Sequence, residues 1–198
     1  DFVHPTIGIL TAIGPQHLER FKTIDNIQVT KYELIEALPA SGVAIFNNDD
    51  PRCHALANRT THVRVMRYGL QTSEQNLDLW AEHIAMGPEG LSFTMVSQDG
   101  RRIAVRTILL GHHNVLNILG APCAALAIGV PLADLAQAIQ ELPPVPHRLQ
   151  LLDNGSGVTV IDDSYNSNPI GATEALEVLG SFTTGQRILV TPGMIELG

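Results

Sequence analysis

From Val115 to Ile128 the chain reads Val-Leu-Asn-Ile-Leu-Gly-Ala-Pro-Cys-Ala-Ala-Leu-Ala-Ile, a stretch with almost no polar face. A helix that is apolar all round belongs inside a sizeable core, so the remaining residues must supply the layers that enclose it. Its opening is different. His113, Asn114 and Asn117 stand at i, i+1 and i+4, where free backbone N–H groups and the positive end of the helix dipole suit an anionic or hydrogen-bonding ligand. A second reading needs no ligand: Asn114 is the N-cap, a position that asparagine favours.

Enclosing such a helix is within reach of 198 residues that are 44% apolar and 16% charged, an ordinary balance for a globular chain. The formal net charge is −8, with no run of Lys or Arg, so nucleic acid is not an expected partner. A single nucleotide stays compatible with that charge, since a few local donors and a magnesium ion can hold phosphates on a protein of negative charge. Cys53 and Cys123 are the only cysteines; neither has zinc-site spacing, and both are expected to be reduced packing residues. No apolar run reaches the ~18 residues of a membrane span, so no membrane insertion and a cytoplasmic location are expected. Asp1 at one end and Glu196-Leu197-Gly198 at the other read as cuts through a longer polypeptide.

Ile7 to Ile13 is an apolar run closed by Gly14-Pro15, the pattern of a buried strand releasing into a loop. His17 sits in that loop. Ligands gather beyond the carboxyl ends of parallel strands, which favours His17 for chemistry, while a lone loop histidine is otherwise a solvated side chain. Ile24, Ile27, Lys31, Leu34, Ile35 and Leu38 follow helical spacing as far as the Pro39–Gly42 stop. Lys31 falls on the apolar stripe, where a lysine ordinarily carries its ammonium out to water.

Val43–Phe46 predicts a second strand and Arg52–Arg59 a helix, and the β-α-β order predicts a parallel sheet. From His62 onward Val63–Met66, Leu77–Met86, Leu91–Val96 and Arg101–Leu109 read as strands of an antiparallel meander, with turns at Gly87–Gly90 and Asp99–Gly100. Leu132–Leu142 is a second amphipathic helix. Pro143–Pro146 is extended and marks an expected boundary between residues 1–143 and 144–198. Beyond it come a hairpin from Leu149 to Ile161, a helix from Pro169 to Leu179 and a strand at Arg187–Val190, the opening of a second α/β domain.

Five stretches, in order, resemble the ATP-dependent Mur ligases. Thr11-Ala-Ile-Gly-Pro-Gln-His17 is similar to the segment that supplies that family's magnesium-binding histidine, and Lys31, 14 positions later, to the lysine it carries as a carbamate. Gly111-His-His-Asn-Val-Leu-Asn117 is similar to the segment that meets adenine and phosphates, and Pro146-His-Arg148 to a hinge-side motif whose arginine meets the nucleotide. Asp162-Asp-Ser-Tyr-Asn-Ser-Asn-Pro169 looks like the signature of the MurF-type branch, with Gly193-Met-Ile-Glu-Leu-Gly198 after it. The resemblance implies a Mur ligase central domain, residues 1–143, with a mostly parallel sheet, followed by the start of a Rossmann-like C-terminal domain. It also implies ATP and Mg2+ as cofactors.

In residue terms the resemblance assigns His17 and Lys31 to catalysis and magnesium. It assigns His113, Asn114, Asn117, Arg148 and Asp163 to the nucleotide, with Asp163 on the ribose, and Tyr165, Asn166 and Asn168 to substrate. The implied reaction is ATP-driven amide formation through an acyl phosphate, joining D-alanyl-D-alanine to a UDP-muramoyl tripeptide in cell-wall precursor synthesis. A carbamylated lysine is a carboxylate on a long arm; a plain ammonium would repel a cation. The Gly-rich phosphate loop and the glutamate that the family places before its corresponding strand are absent from this chain, so the fragment alone is expected to be inactive. Two other readings stay open: an amide ligase of the folylpolyglutamate or cyanophycin synthetase type, and a non-catalytic nucleotide-binding paralogue.

Overall fold

A computed structural model describes residues 3–70, 76–153, 155, 157–165, 169–191 and 193. The first strand, β1 (Ile7–Leu10), leads through a short helix, α1 (Leu18–Phe21), into α2 (Ile24–Glu36). Thr23 caps α2 by accepting from the Asn26 N–H at 3.1 Å. Next, β2 (Val43–Asn47) is followed by α3 (Pro51–Arg59) and β3 (Arg64–Gly69). Asp50 caps α3, its Oδ1 accepting from Arg52 and Cys53 N–H, and Pro51 occupies the first helical position, where its missing N–H costs nothing.

The strands β1, β2, β3, β4 (Leu79–Gly87), β5 (Gly90–Ser97) and β6 (Arg102–Thr107) form one sheet whose spatial order is the chain order. β1 to β4 pair in parallel; β4, β5 and β6 pair antiparallel. This confirms the expected mostly parallel α/β architecture with one correction. β3 belongs to the parallel half rather than to the meander, because α3 makes a second crossover and returns the chain beside β2 in the same direction.

β2 is buried at all five positions, as a strand covered on both faces must be. Val43 and Ile45 enter a core with Met66, Tyr68, Leu79, Met95, Val115 and Leu119. Ala44 and Phe46 enter the opposite one, with Ile27, Ile35, Cys53 and Leu56. Both cysteines are free and buried. Burial first, then the nearby acid Asp50, raises the Cys53 thiol far above its usual range; burial pushes that of Cys123 up to about 12. Neutral thiols of this kind are packing groups.

The apolar helix is α4 (His112–Ala127), and α5 (Leu132–Gln140) packs beside it. Val115, Leu119 and Cys123 are wholly buried, but Asn117 and Ala121 are exposed and Ile128 is 70% exposed. The expectation of burial all round is therefore corrected: one side of α4 faces an open cleft, and the cleft is itself apolar. Gly120 lets Tyr68 lie against the buried side, where a Cβ would stand 3.2 Å from the tyrosine hydroxyl. That hydroxyl is buried and has no hydrogen-bond partner among the described residues. An unmatched buried polar group is unfavourable, so Tyr68→Phe is expected to stabilise the fold by about 1 kcal/mol, read from the urea midpoint. A lower midpoint would show that the hydroxyl is satisfied.

After α5, β7 (Gln150–Asp153) and β8 (Thr159–Asp162) form a two-stranded antiparallel sheet, and α6 (Pro169–Ser181) follows. Leu149 and Val178 pack on Leu110 and Met86 of the larger layer, so this second unit sits directly on the first. The strand expected at Arg187–Val190 is not formed. Its residues are exposed, Val190 at 91%, and among the described residues no strand pairs with them to satisfy their backbone.

Candidate active site

A cleft of about 650 Å3 opens along α4. Its floor is the stripe His113, Asn117, Ala121 and Ala125, four residues apart and so on one face of the helix. Leu135, Ala138, Ile139 and Leu142 form a wall from α5 and its C-terminal end, and Pro143, Val145 and Arg148 close the far side. Apolar walls with a few polar groups at one end are the usual build of a small-molecule site, and this volume suits a nucleoside-sized ligand.

The polar end is organised by Asn114. The helix begins at His112 with Gly111 as its N-cap, so Asn114 is the third helical residue and the capping reading is corrected. Its Nδ2 donates to the Leu110 carbonyl at 2.6 Å, and its Oδ1 accepts from Asn117 Nδ2 at 3.3 Å. These bonds fix the Asn114 amide against Asn117, which is exposed. His113 Nδ1 lies 3.5 Å from Glu174 Oε2 of α6, too long for a good hydrogen bond; both atoms are buried.

The two motifs on either side of the β7–β8 hairpin close on each other. His147 Nδ1 meets Asp162 Oδ2 at 2.7 Å, and Tyr165 N–H donates to the His147 carbonyl at 3.2 Å. Bonds from Ser164 and then His147 hold the Asp162 carboxyl below its usual range. Asp163 Oδ1 accepts from Leu149 N–H at 3.1 Å. The Arg148 guanidinium stacks 4.6 Å from the centre of the Tyr165 ring, a favourable cation–π geometry. His147 and Leu149 both have positive φ, 61° and 45°, which is uncommon outside glycine.

Of the residues singled out in the sequence, His113, Asn114, Asn117 and Arg148 line one cleft. Asp163 and Tyr165 are joined to the Arg148 segment but do not line it. Asn166 and Asn168 lie outside the described residues, as does most of the Gly193–Gly198 loop. Lys31 is half-buried and its Nζ donates to the Ala12 carbonyl at 2.8 Å, on the loop after β1. His17, exposed and at φ 51°, is the N-cap of α1 at the end of that loop. The sequence leads one to expect Lys31 and His17 in a cavity shared with the start of α4; the cleft there is lined by neither. The α5 wall was missed, because Leu135, Ile139 and Leu142 on an amphipathic helix read equally well as core.

The family model described as Mur ligase middle domain matches residues 1–125. The chain belongs to the Mur ligase family. The match covers the parallel sheet, the β4–β6 meander and most of α4, so the cleft floor is part of the Mur ligase fold. The chain is 37% identical over 181 residues to the UDP-N-acetylmuramoyl-tripeptide--D-alanyl-D-alanine ligase of Mycobacterium bovis, which covers 90% of this chain and 34% of that protein. It is 29% identical over 198 residues to the ligase of the same name from Escherichia coli, 43% of whose length is spanned. A crystal structure of MurF from Acinetobacter baumannii superposes with a TM-score of 0.81 at 29% identity, over 90% of this chain and 38% of that one. This Mur ligase chain thus spans well under half the length of these relatives.

The donors of the cleft fit an adenine nucleotide: amides for a base, apolar walls for its faces and a guanidinium for a phosphate. For magnesium the fit is partial. Among the described residues no group of three or more His, Cys, Asp or Glu could hold a metal. Magnesium, however, keeps waters and takes one or two carboxylates plus substrate phosphates, a need that His17 and Lys31 would meet in part only if Lys31 were carbamylated. A carbamate nitrogen keeps one N–H, so a bond to Ala12 is chemically compatible with the modification.

Proposed function

We propose that the protein carrying this chain is an ATP-dependent ligase of peptidoglycan precursor synthesis, adding D-alanyl-D-alanine to a UDP-muramoyl tripeptide. Residues 1–143 form part of its central domain and 144–198 the start of its C-terminal one. The observation that carries the reading is the convergence of His113, Asn114, Asn117 and Arg148 on one nucleotide-sized cleft, in a chain whose relatives bear that ligase name. In the reaction the substrate carboxylate takes the γ-phosphoryl group of ATP, and the amine of the dipeptide then displaces phosphate from the acyl phosphate.

Both steps bring anions together, so the work of the protein is positioning and neutralisation. Asn114 and Asn117 orient the base and the nearer phosphates. Arg148, steadied by the Tyr165 ring, brings positive charge to the cleft, and Asp163, joined to the same segment, would take the ribose hydroxyls. His17 and Lys31, if carbamylated, would hold Mg2+, which would supply charge neutralisation for the transferred phosphoryl group. Tyr165, Asn166 and Asn168 are the residues assigned to the peptide substrates.

Asn114→Ala in the full-length protein tests the reading. The lost bond to Leu110 is expected to cost about 1 kcal/mol of stability, while ATP affinity falls at least about tenfold, since fixed amide contacts disappear with it. Calorimetric ATP titration and an unfolding midpoint on the same sample decide the matter. A lower midpoint with unchanged ATP affinity would leave Asn114 as a strut for Leu110 and remove it from the site.

A further inference from the structure

We infer that Asn47 and Asp50 are positioning residues for this site, clamping the β1 loop that leads to His17 and against which Lys31 Nζ rests. The inference rests on the reading of His17 and Lys31 just given. The backbone ladder between β1 and β2 ends at the pair Leu10 and Phe46. Beyond it, three consecutive residues of the β1 loop are each held by a side chain. The Thr11 carbonyl accepts from Asn47 Nδ2 at 2.8 Å, the Ala12 carbonyl from Lys31 Nζ at 2.8 Å, and the Ile13 N–H donates to Asp50 Oδ2 at 3.0 Å.

Two of these three side chains come from one turn, the end of β2 and the cap of α3. Asn47 is 5% exposed and its amide admits one orientation only, because Oδ1 is engaged by the Asp49 N–H at 3.0 Å. Asp50 divides its carboxylate: Oδ1 caps α3 through Arg52 and Cys53, and Oδ2 reaches across to Ile13. Capping alone would need one oxygen. Ile13 is itself buried, which anchors the loop between its tethers and His17. The loop is thereby continued as a rigid extension of the sheet, and the Lys31 nitrogen is set against its middle residue. A metal arm needs such a support, since small displacements of a ligand weaken the site.

Isosteric exchanges separate the tether from the cap. Asp50→Asn keeps an oxygen for Arg52 and Cys53 but turns an amide N–H2 toward the Ile13 N–H. Asn47→Asp keeps an oxygen for Asp49 but turns an anionic oxygen toward the Thr11 carbonyl. In the full-length protein, each is expected to speed hydrogen exchange at the Ile13 amide about tenfold and to raise the half-saturating Mg2+ concentration for ligase turnover by about tenfold, the equivalent of one hydrogen bond. The KM for ATP at saturating Mg2+ should stay near wild type, and the unfolding midpoint should fall by no more than one lost hydrogen bond explains.

The two exchanges change charge in opposite directions, so a shared effect is geometric. Opposite effects on the Mg2+ requirement, or faster Ile13 exchange with unchanged turnover and Mg2+ requirement, overturn the inference. So does a collapse of the unfolding midpoint in both variants, which would make the residues structural only. A wild-type protein without Mg2+-dependent ligase turnover would sink the functional reading and this inference with it, and so is told apart from a failure of the tethers alone.

Discussion

Gly111→Ala is expected to cost about 3 kcal/mol of stability and to spoil the mouth of the cleft in the same stroke. Gly111 has φ 87° and ψ 138°, a region that residues with a Cβ scarcely enter. The added carbon would also stand 2.6 Å and 2.8 Å from His113 ring atoms and 2.9 Å from Leu149 Cδ1. Leu149 has little room to retreat, because it is buried, already at positive φ and tied by its N–H to Asp163. The His113 ring must therefore turn, and it is one of the residues lining the cleft. Chemical denaturation and ATP titration of the full-length variant check both halves. A variant within about 1 kcal/mol of wild type and with full ATP affinity would show that the turn relaxes freely.

Gly90→Ala is expected to be at least as damaging to the fold, at about 4 kcal/mol or outright loss of folded protein, and to leave the cleft chemistry alone. Gly90 starts β5 with φ 112°, and a Cβ there would lie 2.0 Å from the Thr107 carbonyl oxygen and 2.8 Å from Ile108 Cα. Both obstacles are backbone, fixed by the β5–β6 ladder that pairs Leu91 with Thr107, so neither side yields by a rotamer change. Gly100 is the control. It too has positive φ, 83°, but nothing within 4 Å of a built Cβ, so Gly100→Ala should cost only about 1 kcal/mol, the strain of its φ alone. Equal urea midpoints for the two variants would refute the argument from close approach.

The sequence revealed most where one physical signal dominated. The Pro51 start of α3, the Gly87–Gly90 turn and the amphipathic stripe of α5 are local chemistry, and they lie where the pattern puts them. β3 was placed in the wrong half of the sheet because a short apolar run carries no information about strand direction; that is decided by the crossover before it. The burial of α4 was overestimated for a related reason. A helix face that lines an apolar cleft and one that packs in a core have the same composition, and only the neighbouring α5 distinguishes them. The cleft residues His113, Asn114, Asn117 and Arg148 were legible from the family resemblance. The tethers from Asn47 and Asp50 were not, since a turn-rich Asn-Asn-Asp-Asp-Pro cluster reads as a helix start and its reach to Thr11 and Ile13 is visible only in three dimensions.

The agreement between spatial and chain order in the six-stranded sheet bears on how the molecule assembles. Every strand pairs with its predecessor, so the sheet grows by successive additions, each closing a modest loop and adding contacts at once. α4 is the exception. It follows all six strands yet packs against β1, β2, β3 and β4, so the sheet face it covers stays open to water until the helix is in place. The helix that floors the cleft is thus the keystone of folding as well, and the cleft comes into being only in the step that completes the core.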